Sequence, residues 1–208
     1  MTLTLKRCAL ALIFALSPVV ALSQETTADS EEAVESAEPI TEENAAVGDV
    51  YVKETHGDWR VRCVRAELGQ EDRCQMIIVL FNQEGEPVSE FLVSKVSDDE
   101  IVSVATLRTP LEVLLPPGIE VGVDGNPAGR VPYLFCTQRF CQSEIQLRDK
   151  DVGVFKRGGK ASMTMVVRTS PPQRVVLDVS LNGFTKAYDS LATPPAPAPA
   201  PAAESASE

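Results

Sequence analysis

From Trp59 onward the chain alternates apolar and polar residues in short runs. In Arg174–Leu181, Val175, Leu177, Val179 and Leu181 fall on one side, with Arg174, Asp178 and Ser180 on the other. Lys160–Arg168 repeats the pattern with Met163, Met165 and Val167. A period of two is that of a strand with one buried face. By the same reading, strands are expected at Trp59–Arg65, Cys74–Phe81, Val88–Val96, Ile101–Leu107, Leu111–Leu114, Ile119–Val123, Tyr133–Thr137 and Gln142–Leu147. Gly, Pro, Asn and Asp clusters punctuate them: Glu84-Gly85-Glu86-Pro87, Asp124-Gly125-Asn126-Pro127, Arg157-Gly158-Gly159 and Ser170-Pro171-Pro172. Two short helices are expected, Asp149–Lys156 and Phe184–Leu191. Many short strands at this spacing predict a mainly all-β domain, an antiparallel sandwich or barrel. No internal repeat interrupts the pattern.

The two ends break it. Residues 1–23 read as a secretory signal peptide. Lys6 and Arg7 form the charged start, Cys8–Leu16 is the apolar run, Pro18 ends it, and Ala21-Leu22-Ser23 precedes a cleavage before Gln24. That run is too short to span a bilayer, and Cys8 lies at its start, where no lipid anchor attaches. Residues 24–50 hold nine carboxylates and no Lys, Arg or aromatic residue. Such a segment buries too little apolar surface to offset its ordering entropy and is expected to be a disordered linker. Residues 193–208 form a Pro-Ala tail, expected to be extended and disordered. The domain itself is therefore expected over residues 51–192.

Composition agrees with a packed domain. Hydrophobic residues make up 44% of 208, charged residues 24% and aromatics 5%, with mean hydropathy −0.02. The net charge of −11 argues against nucleic acid as a partner, since phosphate binding needs a basic footprint. Setting aside the two cations of the leader, the nine carboxylates of the linker, and Glu204 and Glu208 of the tail leaves the core at only −2. The acidity belongs to the arms and reads as solvated charge.

Four cysteines remain after the leader: Cys63, Cys74, Cys136 and Cys141. An even number in an exported chain implies disulfides, with three possible connectivities. Strand parity favours one of them. Paired as an antiparallel hairpin with Cys63 opposite Cys74, the two runs set Val61 against Met76 and Trp59 against Ile78, all on one face. Cys136 likewise falls opposite Cys141 across the four-residue loop Thr137–Phe140. Two local bridges, 63–74 and 136–141, are expected. A redox motif would need a shorter spacing, and a zinc site would need partners beyond the single His56.

Catalytic patterns are weak. A serine triad would have to use His56, and there is no G-x-S-x-G elbow. His56 reads as an exposed residue leading into a strand, with nothing near it to orient it. Gly153–Gly158 resembles the start of a phosphate loop, but Gly159 stands where lysine is required. Asp98-Asp99-Glu100 reads as a solvated turn. Lys150, Lys156, Arg157 and Lys160, four cations in eleven residues, form the candidate binding patch, against the plainer reading of a solvated turn beside Asp149 and Asp151. Leu115-Pro116-Pro117-Gly118 offers exposed apolar points for docking, or a rigid turn.

Several pieces form an ordered set: Gly57-Asp58-Trp59, Cys63 and Cys74, Leu114–Ile119, Val123-Asp124-Gly125, Pro132-Tyr133 with Cys136 and Cys141, and Ser180-Leu181-Asn182-Gly183-Phe184. Together, over residues 51–192, they resemble the invasion-associated locus B family of exported alphaproteobacterial proteins. The resemblance implies a sandwich-like, disulfide-bonded periplasmic or surface-associated protein without known enzymatic activity. It supplies no catalytic, cofactor or metal residues, and its cysteine pairs map onto Cys63, Cys74, Cys136 and Cys141. The acidic linker and Pro-Ala tail depart from it.

The reading is therefore a non-enzymatic envelope protein, periplasmic, outer-membrane-associated or secreted. It would need no cofactor and have no membrane span after cleavage. It would be a monomer or weak oligomer and act on an envelope protein. The alternative partner is a host surface, with the chain as an adhesin promoting invasion. An envelope hydrolase is the least supported reading.

Overall fold

The computed structural model describes residues 39–82 and 84–195. The leader, residues 24–38 of the acidic linker and residues 196–208 of the tail lie outside the described residues. The described elements are, in order, β1 (Val50–His56), β2 (Trp59–Val64), β3 (Arg73–Phe81), β4 (Pro87–Lys95), β5 (Ser103–Thr109), β6 (Ile119–Val123), β7 (Asn126–Val131), β8 (Tyr133–Cys136), β9 (Cys141–Leu147), α1 (Asp149–Arg157), β10 (Lys160–Val167), β11 (Gln173–Ser180) and α2 (Phe184–Ser190).

The strands form two antiparallel sheets. One has seven strands in the order β1-β2-β3-β4-β5-β9-β8, the other four in the order β11-β10-β6-β7. Their inward faces share one core: Trp59, Val61, Met76, Phe91, Val93 and Leu107 from the first, with Ile119, Met163, Met165, Leu177 and Val179 from the second. The alternation read from the sequence is the alternation that is buried. Val61 pairs with Met76 and Cys63 with Cys74, and Met163 pairs with Leu177.

Both bridges have the parity pairing, Cys63–Cys74 and Cys136–Cys141, with Cα atoms 4.0 and 3.9 Å apart. Each joins residues directly opposite in a hairpin. The first closes the longer loop, eleven residues against five. Replacing Cys63 and Cys74 together by serine is expected to cost about 3 kcal/mol, and the second pair about 2, by loop-closure entropy. Urea unfolding checks this; a smaller loss for the first pair than for the second contradicts it.

The loop inside the first bridge is held by Asp72. Its carboxylate accepts hydrogen bonds from the Ala66 backbone at 2.7 Å, Tyr51 at 2.5 Å and Arg65 at 2.9 Å. The Ala66 amide and the Tyr51 hydroxyl hold Asp72 below its usual range. Burial and the neighbouring Asp72 push Tyr51 up to about 12.

Two strands escaped the sequence pattern. β1 has one deeply buried residue, Tyr51, and a bulge between Val52 and Glu54 that breaks its alternation. β7 (NPAGRV) has Pro and Gly inside it and no alternation, yet the Asp124-Gly125 turn returns it along β6. Both residues of that turn have positive φ, 48° and 79°, as a two-residue hairpin turn requires. Leu111–Leu114, expected as a strand, makes only a single bridge, Val113 to Val167. Pro110 precedes it and Glu112 has φ 65°, which ends any extended run. The acidic segment is shorter than expected at its C-terminal end. Residues 41–49 turn back on Asn44 and Asp49, and Gly48 and Asp49 bond with the Arg65 backbone to extend the β1–β2 ladder.

The two most distant pieces of the sequence pattern meet in space. The β1–β2 turn, Gly57-Asp58, lies against Asn182-Gly183 at the entry to α2. Asp58 N donates to Asn182 O at 3.2 Å, Ser180 Oγ donates to Asp58 Oδ2 at 2.5 Å, and Trp59 Nε1 donates to Ser180 O at 2.9 Å. Trp59 meets Phe91 and Phe184 edge-on, at 6.0 and 5.2 Å between ring centroids. Phe184 in turn stacks on Phe155 of α1 and Tyr188 of α2. This aromatic stack fixes both helices to the sandwich.

Candidate functional site

Most of the chemistry-bearing residues are used by the fold itself. The cysteines are bridged. His56 is not the unoriented exposed residue expected. It ends β1 half-buried, with Nε2 2.7 Å from Glu54 Oε2. The two are neighbours on one face because residues i and i+2 of a strand share a face. The His56 bond is the main cause holding Glu54 below its usual range. Asp98 accepts the Ile101 and Glu100 amides at 2.8 and 2.9 Å, which lower it, and Glu100 pairs with Arg148. Gly153 to Arg157 lies in helix α1, which leads into strand β10. Among the described residues no three His, Cys, Asp or Glu groups are placed to hold a metal ion.

The four cations of the candidate patch differ in their partners. Lys156 and Arg157 sit in the last turn of α1, where they complement the helix dipole, with Asp149 and Asp151 in the first turn. Lys156 pairs with Asp189 at 2.6 Å and Lys160 with Asp178 at 3.0 Å. Lys150 and Arg157 make no ion pair with a described residue. They lie seven residues apart, with Val154 between them on the exposed face of α1.

A further candidate surface lies where β7, β8 and β9 meet. β8 is the outer strand of the large sheet and carries Leu134 and Phe135, 56% and 48% exposed. The Leu115–Gly118 turn packs on β7, the strand before β8. Gly118 N donates to Leu115 O at 3.0 Å, and Gly118 packs so closely on the Val131 carbonyl that a Cβ would lie 2.6 Å from it. Leu111 and Leu115 are exposed in the same segment, at 39% and 47%. Exposed apolar side chains on an outer strand such as β8 are a surface feature that marks association.

Beside this end runs a groove of about 720 Å³. One wall is β7, the outer strand of the small sheet. The other is β9, and α1 closes one end. β8 covers β9 only as far as Ser143, so among the described residues Glu144–Leu147 have a strand partner on the β5 edge alone. Val121, Val123, Ile145 and Phe155 make the groove apolar, and Val154 and Arg157 stand at the α1 end. Its carboxylates are already engaged: Asp124 accepts the Gly159 and Lys160 amides at 3.1 and 2.9 Å, and Asp151 accepts the Arg148 amide at 3.1 Å. Arg130 is engaged too, with Glu120 at 2.6 Å, and Arg174 and Arg130 hold Glu120 below its usual range.

Sequence reading missed this groove because it depends on β7, which has no alternation, and on where β8 stops. The one available signal was the Asp124-Gly125 turn, whose geometry requires a returning strand.

The chain matches the family described as Invasion associated locus B (IalB) protein over residues 59–192. Among solved structures it is similar to one described as the crystal structure of invasion associated protein B from Bartonella henselae. The identity is 23%, over 65% of this chain and 91% of that one, with a TM-score of 0.55. At that identity the likeness concerns the fold. No curated protein matches.

Proposed function

The chain belongs to the invasion-associated locus B family, and on that premise we propose that it is an exported, non-enzymatic cell-envelope protein. It acts by binding a partner protein through the β7–β8–β9 end of its sandwich. The observation that carries the reading is the exposure of Leu134 and Phe135 on the outer strand β8. Burying two such side chains against a partner supplies the apolar centre that an interface needs.

Export is supported by the charged start, short apolar run and small-residue cleavage pattern of residues 1–23. Two bridged cysteine pairs fit an oxidising compartment such as the periplasm. Among the described residues no helix is long and apolar enough to cross a membrane. In this proposal the folded domain spans residues 51–192, between an acidic linker and a Pro-Ala tail.

A host-surface adhesin is the second reading, favoured by membership of an invasion-associated family. It differs in where the protein acts: the outer surface or medium, bound to host membranes.

The test is in vivo cross-linking with periplasmic, outer-membrane and medium fractions kept apart, comparing the natural chain with Leu134→Glu/Phe135→Glu. Both side chains are exposed, so the variant should fold normally. The expected result is that a periplasmic cross-linked product falls about tenfold or more in the variant, the loss expected when central apolar anchors are removed. An unchanged product places the binding surface elsewhere. Recovery only from the medium or outer surface, with host-membrane binding, selects the adhesin.

A further inference from the structure

We propose that the Pro-Ala tail folds back as an extended polyproline strap along the outward face of the large sheet, over Ile77 and Leu92. The inference does not depend on the binding reading above. It assigns a docking surface to the chain's own C-terminal segment.

The exit of the tail is fixed. Leu191, just after α2, is buried, and Lys95 Nζ donates to its carbonyl at 2.6 Å. Ala192, Pro194 and Pro195 then form one side of a cleft of about 330 Å³ whose other side includes Val64, Arg73, Gln75 and Ser94. Along their strands these four residues alternate with Cys63, Cys74, Met76 and Val93, which belong to the shared core or pack against it. They therefore lie on the opposite, outward face of the sheet. The chain leaves α2 beside Lys95 and reaches the edge of that face at the end of β4.

The face beyond is apolar at its centre. Ile77 and Leu92 sit opposite each other on β3 and β4. They alternate with Met76, Ile78, Phe91 and Val93 of the shared core, so they point away from it. Both are nonetheless only 2% exposed. Past them, Val79, Val88 and Phe140 help to line a second hollow, of about 580 Å³. By strand rise from Ser94 to Val88, the two hollows are about 20 Å apart.

Length and chemistry fit this path. Beyond Pro195 the sequence reads Ala196-Pro197-Ala198-Pro199-Ala200-Pro201-Ala202-Ala203. In polyproline II, at about 3.1 Å per residue, Ala202 falls about 22 Å past Pro195, level with the second hollow. Such a chain has no internal hydrogen bonds and its prolines carry no N–H, so it offers mainly carbonyl acceptors. The face offers donors. Arg60, Arg62 and Arg73 have no ion partner among the described residues, and a guanidinium only donates. Arg62 Nε is buried without a hydrogen-bond partner. Arg62 stands opposite Gln75 and Arg60 opposite Ile77, beside the strap's path. A carbonyl of the strap supplies the missing acceptor. Docking costs the strap little entropy, since its prolines hold it extended beforehand.

The test places a nitroxide at Ala202→Cys in the isotope-labelled mature chain at low protein concentration. The expected result is loss of the Val79, Val88 and Phe140 signals by paramagnetic broadening, with those of Val50 and Val176 kept. Val50 is exposed opposite Val64, near the tail's exit, and Val176 is exposed on the other sheet. Replacing Pro197, Pro199 and Pro201 by glycine should restore the lost signals, because it removes the preformed extension. Both variants change only the tail, so the domain should fold unchanged.

Retention of the Val79 and Val88 signals would overturn the proposal. So would broadening centred on Val50, the mark of a tail that leaves the domain freely, equal broadening at Val176, or full broadening in the glycine variant. A mixture of isotope-labelled natural chain with unlabelled, nitroxide-bearing chain tests for a second copy. Loss of Val79 and Val88 in that mixture would mean that the face takes the tail of another molecule, which also overturns the strap.

Discussion

Gly183→Ala is expected to leave no natively folded protein. Gly183 has φ 88°, and a Cβ built on it would lie 1.9 Å from the His56 carbonyl oxygen, 2.4 Å from its carbon and 2.9 Å from Gly57 N. All three are backbone atoms of the β1–β2 turn, so no side chain can rotate away. Relief would require separating that turn from the entry to α2, which breaks the bonds among Asp58, Ser180 and Asn182 and moves Trp59. Gly125→Ala is the control. It has φ 79° but nothing within 4 Å of its Cβ position, so it should lose only about 1–2 kcal/mol for the left-handed backbone. Soluble yield and cooperative thermal unfolding read both. Native-like melting of Gly183→Ala would show that the turn and α2 are not locked together.

Trp59→Ala is expected to cost about 3–5 kcal/mol, the range for deleting a fully buried large aromatic side chain. Trp59 is completely buried, and it joins parts that nothing else joins in the same way. Its ring contacts Phe91 of the large sheet and Phe184 of α2, while its Nε1 donates to Ser180 at the end of the small sheet. Alanine leaves a cavity and an unpaired carbonyl together. Trp59→Phe keeps most of the apolar contact and loses the donor, so it should cost about 1–3 kcal/mol, the penalty of an unsatisfied buried acceptor. Urea midpoints at unchanged slope separate the two. Equal losses in both would mean that the hydrogen bond, and not the packing, holds the joint.

These two sites show what was legible in the sequence. Alternation in Trp59–Arg65 and Cys74–Phe81 fixed a register that the structure reproduces residue by residue, because each inward position is apolar and a shift of one would bury Arg60 and Arg62. Alternation also located β10 and β11 as strands. It failed at β1 and β7, the outer strands of their sheets, where little of the strand is buried and the pattern has nothing to report. It failed again at Leu111–Leu114, where four apolar-rich residues are bounded by prolines.

The site was less legible than the fold. Lys150, Lys156, Arg157 and Lys160 are close in sequence, yet three lie on α1 and one on β10, and two find carboxylates from α2 and β11. Only the fold separates the cations that have carboxylate partners from those that do not. The Gly57-Asp58-Trp59 and Asn182-Gly183-Phe184 motifs stood out in the sequence, but their purpose is mutual support, which linear reading cannot display. His56 likewise finds its partner two residues away on its own strand. The motifs that carried the resemblance are thus largely those that build the scaffold, and of the strands at the proposed binding end only β7 lacks a sequence pattern.

The central claim is that partners meet this protein at the β7–β8–β9 end. It is tested most directly by placing a photo-crosslinking amino acid, in living cells, at Leu134 and at Val176, an exposed position on β11 of the other sheet. The account predicts a discrete cross-linked product from position 134 and none from position 176. Products from 176 alone, or the same product from both, would contradict it.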